Sequence, residues 1–229
     1  MTFFTADTVT FWKGLAKNNS KAWFDKNRKD YEKHLKEPYN RLAEALVEQV
    51  QEVEPEYTTP PKKAIYRINR DTRFANDKTP YKTRLGVTVG RNEKHDPWWP
   101  AYTVSVGVDG IWVAGGLYRP ETELRDHVRR YVGENAAELA KLERKSTAFA
   151  KTFGRLEGEA HKRTPAELKE LVEIEPRVLN KQWTYWRDFQ DPKRFVDPKL
   201  DQFILDQWEA ARPVMEFLKD ASRSFVPTE

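Results

Sequence analysis

Three arginines, Arg67, Arg70 and Arg73, recur at intervals of three around Asp71, and Asp77, Lys78, Tyr81 and Lys82 follow closely. A guanidinium is a planar fork of N–H donors suited to two-point binding of a carboxylate or phosphate. In one reading Arg67, Arg70 and Arg73 clamp an anion, and Lys78 or Lys82 stabilises charge that develops on it. Asp71 or Asp77 would then serve as a base, with Tyr81 as a proton donor. The same residues suit two other roles. They could supply the electrostatics of a non-catalytic site for nucleic acid or an anionic partner, with affinity falling steeply as salt rises. Alternatively, Arg–Asp pairs could simply tie a long loop to the fold, with function elsewhere. Full pairing of the arginines would mark the structural role. An exposed basic strip reaching Arg84 and Arg91 would mark the nucleic-acid role.

The charge distribution singles out this stretch. Residues 62–94 hold ten basic side chains against three acidic ones, a net +7, whereas the remainder holds 30 basic against 33 acidic, a net −3. Like charges this close repel unless an anion gathers them. The chain has no Cys, so thiol chemistry and cysteine-ligated metals are excluded. None of its four histidines pairs with another at metal-ligand spacing. It lacks a phosphate-binding P-loop, a dinucleotide fingerprint and a GxSxG nucleophile turn, so no cofactor is expected. No duplex-binding helix motif is present either; Tyr66, Phe74, Tyr81, Trp98, Trp99 and Tyr102 lie near enough to stack on bases, but packing of the sheet is the favoured role for them. A chain without a signal peptide or a long apolar run is expected in the cytoplasm, off the membrane.

The elements that must position these residues follow from periodicity. Apolar spacing predicts a helix over 6–17 capped by Thr5, and a second one starting from Ser20. Helix then continues past Pro38 to about residue 53. The period changes to two over Lys63–Asn69, Leu85–Val89, Val104–Val108 and Ile111–Leu117, which predicts strands. Asp109-Gly110 predicts a type I′ hairpin, because both central residues of that turn need positive φ. Gly115-Gly116 predicts a bulge or a close approach by backbone or ligand. Helical patterns return from Pro120, over 134–153, after a capping box at Thr164-Pro165-Ala166-Glu167, and over 197–222, where Pro213 interrupts. The expected fold class is α+β, a central antiparallel sheet at about residues 63–118 packed by N- and C-terminal helices, in a single domain spanning 1–229.

The run RINRDTRFANDKTPYK, from Arg67 to Lys82, resembles the RDxRFxxDKxPYK signature of the DUF2461 family. NNSKAWFDKNRKDYEKH at 18–34 and GGLYRP at 115–120 extend the likeness over nearly the whole chain. Arg67, Arg70, Asp71, Arg73, Phe74, Asp77, Lys78, Pro80, Tyr81 and Lys82 fill the signature positions, while Asn69 replaces a usual aromatic and Ala75-Asn76 a usual Ser-Lys. The resemblance implies an α+β domain and no particular chemistry, so whether the chain is an enzyme stays open. Residues 155–184 match only loosely.

Overall fold

A computed structural model of the chain describes residues 2–226. Its elements run α1 (Ala6–Lys17), α2 (Lys21–Lys26), α3 (Arg28–Tyr31), a π-helical turn (Glu32–Lys36), α4 (Glu37–Val53), α5 (Pro61–Ala64), β1 (Arg84–Val89), β2 (Ala101–Gly107) and β3 (Gly110–Leu117). Then follow α6 (Thr122–Glu134), α7 (Ala136–Leu142), α8 (Ala148–Phe153), α9 (Lys169–Ile174), β4 (Trp183–Phe189) and α10 (Leu200–Arg223). The four strands form one antiparallel sheet in the order β1-β2-β3-β4, and the fold is α+β. No helix among the described residues is long and apolar enough to cross a membrane.

Several expected elements formed for the reasons expected. Ser20 caps α2 by accepting the Trp23 N–H at 3.3 Å. Leu85, Val87 and Val89 of β1 and Tyr102, Val104 and Val106 of β2 are buried, as the period of two requires. Others differ. Residues 63–69 are not a strand: Pro60-Pro61 starts the helical turn α5, leaving only isolated bridges from Ile65 to Val87 and from Asn69 to Tyr81. The fourth strand comes instead from Trp183–Phe189, within and just beyond the stretch that matches loosely. The helix expected over 134–153 breaks in two, because the Thr147 hydroxyl accepts the Ala150 N–H and caps a fresh start. The β2–β3 hairpin turns at Val108-Asp109, one residue early, and neither has positive φ, so the turn is not type I′. Pro213 lies inside α10 on an exposed position, so its missing N–H is lost where water can compensate, and the helix continues.

The chain packs as two compact units. The first comprises Met1–Lys94, Thr103–Val113 and Asp188–Leu205. Its core is aromatic: Phe4 stacks on Phe195 at 4.4 Å, and Trp12 meets the same ring edge-on at 5.4 Å. Buried Tyr39, Leu42, Ala43, Leu46, Val47 and Val50 make the inner face of α4, and the Tyr39 hydroxyl donates to the Gly86 carbonyl of β1. This bond fixes α4 on the strand that follows the arginine-rich run.

The second unit comprises His95–Tyr102, Ala114–Arg187 and Asp206–Glu229. Leu124, Val128 and Val132 line the buried face of α6, and Phe149 meets Tyr185 edge-on at 5.5 Å. Arg177 pairs with Glu143 at 2.6 Å and with Glu175 at 2.6 Å, tying the end of α7 to the segment that follows α9. Gly115 and Gly116 mark a close approach rather than a ligand site. A Cβ on Gly116, at φ +113°, would lie 2.3 Å from the Trp183 carbonyl oxygen. Gly116→Ala should therefore cost about 2–4 kcal/mol through a strained backbone and a steric clash. A urea-unfolding midpoint equal to that of the wild type would refute this packing.

Candidate functional site

The signature is a loop in the first unit closed by a short antiparallel pairing. The Arg70 N–H donates to the Pro80 carbonyl and the Lys82 N–H to the Ile68 carbonyl, both at 2.8 Å. Asn19, between α1 and α2, anchors this base from outside. Its side-chain amide donates to the Tyr81 carbonyl at 2.9 Å and accepts the Tyr81 N–H at 3.0 Å, imitating a neighbouring strand. The Tyr81 ring is buried and stacks on Phe24 at 4.1 Å. A side chain so placed holds the loop to the helices. In the sequence Asn19 stood out only within the likeness at 18–34, because a clamp on a residue 62 positions away leaves no local pattern.

Within the loop, two of the three arginines already have carboxylate partners. Asp71 takes the Arg73 fork, from Nε at 3.0 Å and Nη2 at 2.7 Å, and also accepts the Arg73 backbone N–H. Arg70 donates to Asp77 and to the Thr79 hydroxyl. Lys78 donates to the Thr72 carbonyl at 3.0 Å. These bonds lower both aspartate pKa values. Arg73 is the main cause at Asp71. At Asp77 the Thr79 N–H comes first and Arg70 second, and the carboxyl is held at about 2. A carboxylate held that low is a weak base at neutral pH. The five residues Arg70, Asp71, Arg73, Asp77 and Lys78 thus form the loop's internal bracing.

Arg67 and Lys82 are placed differently. Arg67 is exposed and makes no ion pair or hydrogen bond among the described residues, and its charge acts on Lys82. Lys82 Nζ lies 5.3 Å from the centre of the Tyr66 ring, and Lys94 Nζ lies 5.0 Å from the same ring while donating to the Ile65 carbonyl at 3.0 Å. Burial, then Arg67, then Lys94 push the Lys82 pKa down. Two cations therefore share the Tyr66 ring, with the charge of Arg67 acting on one of them, and none of the three is matched by a carboxylate among the described residues. Lys94 was absent from the set expected in the sequence, since it stands 12 residues beyond Lys82 across β1.

The ring that gathers them is held by β1. The Tyr66 N–H donates to the Gly86 carbonyl at 3.0 Å, and its hydroxyl bonds Thr88 Oγ1 at 3.1 Å, which in turn bonds Thr103 Oγ1 at 3.0 Å. Gly86 makes room for it, since a Cβ there would lie 3.1 Å from Tyr66 Cδ2. Arg84, by contrast, is committed to Asp109 at 3.0 Å and Asp188 at 3.3 Å. It is not part of a free basic strip.

The Asp77 geometry has a measurable consequence. Its folded pKa lies below its ordinary 3.8, so the bracing it provides is complete above about pH 4 and is lost as pH falls through about 2. Carboxyl NMR should therefore find Asp77 titrating near 2. A midpoint at the ordinary value would show that the brace to Arg70 and Thr79 does not form.

A model of the DUF2461 family, described as a conserved hypothetical protein, matches residues 7–217. A comparison with curated proteins gave no match.

Proposed function

The chain belongs to the DUF2461 family, and we propose that it binds an anionic, phosphate-like group where Lys82 and Lys94 meet on the Tyr66 ring and Arg67 acts on Lys82. The observation that carries this reading is the meeting of Lys82 and Lys94 on one ring, at 5.3 and 5.0 Å, with no carboxylate partner for either or for Arg67 among the described residues. Holding two like charges on one ring with a third acting on them costs free energy, and an anion seated among them returns it. Arg67 offers a bidentate fork, while the two ammonium groups offer point charges. Tyr66 is tied down through Gly86 and Thr88, so two of the cations share a platform on a rigid strand. The reading retains Arg67 and Lys82 from the signature and assigns Arg70, Arg73, Asp71 and Asp77 to support. A small phosphorylated molecule would satisfy it, and the role is binding.

A specific observation favours a second reading, an anionic strand or partner docking at the loop. Phe74 is 93% exposed, with the Arg73 guanidinium 5.8 Å from its ring. An exposed ring flanked by a cation is a platform on which a base can stack.

Titration of inorganic phosphate into the full chain, followed by calorimetry, separates these. Arg67→Gln and Lys82→Gln should each weaken binding about tenfold, the equivalent of one charge-assisted hydrogen bond, while Arg73→Gln should change it less than about twofold. Wild-type affinity in both Gln variants would overturn the cluster reading. Binding of a single-stranded oligonucleotide that is lost on Phe74→Ala would establish the second reading in its place.

A further inference from the structure

The second unit holds a set of buried donors that its own fold leaves unused. Arg125 and Arg129 stand four residues apart on α6 and so share one face of the helix. Arg129 is buried, and two of its three nitrogens are engaged: Nε donates to the Asn180 carbonyl at 3.2 Å and Nη1 to Asp126 at 2.8 Å. Its Nη2 has no partner among the described residues. Three further buried nitrogens share that condition: Arg125 Nε, Asn180 Nδ2 and His161 Nε2. Arg125 Nε lies 3.5 Å from Asp126, beyond a well-made hydrogen bond.

These atoms belong to one neighbourhood. Asn180 takes Arg129 on its carbonyl and pairs with Ala160 in an antiparallel bridge, and the adjoining His161 donates its N–H to Leu179 at 2.8 Å. Gly158 fits this pairing because a Cβ there would lie 2.8 Å from Asn180 Nδ2. Charges on Arg129, Arg125 and Lys181 act on the His161 ring, opposed by Asp126. Asp126 is half exposed and already bonded to Arg129, and Lys181 pairs with Glu159.

Buried donors are normally satisfied, and a group of them left without acceptors asks for one. Two guanidinium groups and an amide supply N–H donors in a positively charged neighbourhood, joined by the imidazole Nε2 in the tautomer that carries its proton there, and an oxyanion requires such donors. We infer that Arg125, Arg129, His161 and Asn180 form a second binding site, for a small oxyanion of the phosphate or carboxylate class. This site is separate from the Tyr66 cluster and does not depend on it. Burial, followed by Arg129, Arg125 and Lys181, depresses the His161 pKa, and an oxyanion beside the ring would raise it again.

The test is to titrate inorganic phosphate, and separately acetate, into the full chain while following the four histidine rings by NMR. His161 should shift saturably and its titration midpoint should rise. Arg125→Gln, at a partly exposed position, should weaken the effect at least about tenfold. Arg67→Gln should leave it unchanged, so failure here and failure at the Tyr66 cluster are distinguishable. Tighter phosphate binding identifies a phosphorylated ligand and tighter acetate binding a carboxylated one, and either supports the site. No saturable shift of His161 with either anion would overturn it, as would an Arg125→Gln protein that responds like the wild type.

Discussion

Repulsion among the basic residues of 62–94 is the constraint around which the first unit is arranged. Two aspartates cannot neutralise the cations of the signature, and the structure shows how the shortage is distributed. Asp71 is spent on Arg73 and Asp77 on Arg70, each within the loop. Arg84 is met from farther along the chain by Asp109 and Asp188. Among those without a carboxylate partner in the described residues, Lys82 and Lys94 meet on one tyrosine ring and Arg67 acts on Lys82. Quadrupole attraction to a ring is weaker than a carboxylate and does not cancel the charges. The residual field is therefore local and is fixed to a strand.

That fixing depends on backbone as much as on side chains. Asn19 grips both polar groups of Tyr81, and Tyr39 reaches the Gly86 carbonyl, which also accepts the Tyr66 N–H. The base of the loop is thus held by α1–α2 on one side and by α4 through β1 on the other. The loop itself is exposed and braced only by its own short-range bonds. Such a division, a rigid base under an exposed tip, is the usual arrangement where a loop carries function.

The sequence was legible where the signal was local. Alternating Leu85, Val87 and Val89 declared β1, and Ser20 declared its cap. It was misleading where a local rule met a stronger neighbour. Period-two spacing over 63–69 lost to Pro60-Pro61, which pre-set a helical turn. Thr147 divided a helix that periodicity alone would have continued. The fourth strand was missed because most of its outer positions are exposed or half-exposed, so its alternation is blurred by Trp186, Arg187 and Asp188. Within the site, the regular spacing of Arg67, Arg70 and Arg73 suggested convergence. Spacing in a loop does not set direction, however, and the nearest carboxylates decided the matter residue by residue.

The two candidate sites illustrate different signatures of an unmet need. At Tyr66 the sign is electrostatic: partly exposed cations, a depressed lysine pKa and no acid paired with them among the described residues. Water and salt can screen such a group, so its worth falls with ionic strength. At Arg129 the sign is one of hydrogen bonding: donors withdrawn from solvent and left without acceptors. Screening cannot relieve those donors, since each needs an atom at bonding distance. The first kind of site is visible in a charge count. The second is invisible in the sequence, where Arg125, Arg129, His161 and Asn180 are four unremarkable polar residues spread over 56 positions. Only when Arg129 meets the Asn180 carbonyl, and the bridge from Ala160 to Asn180 brings His161 alongside, do they become a set.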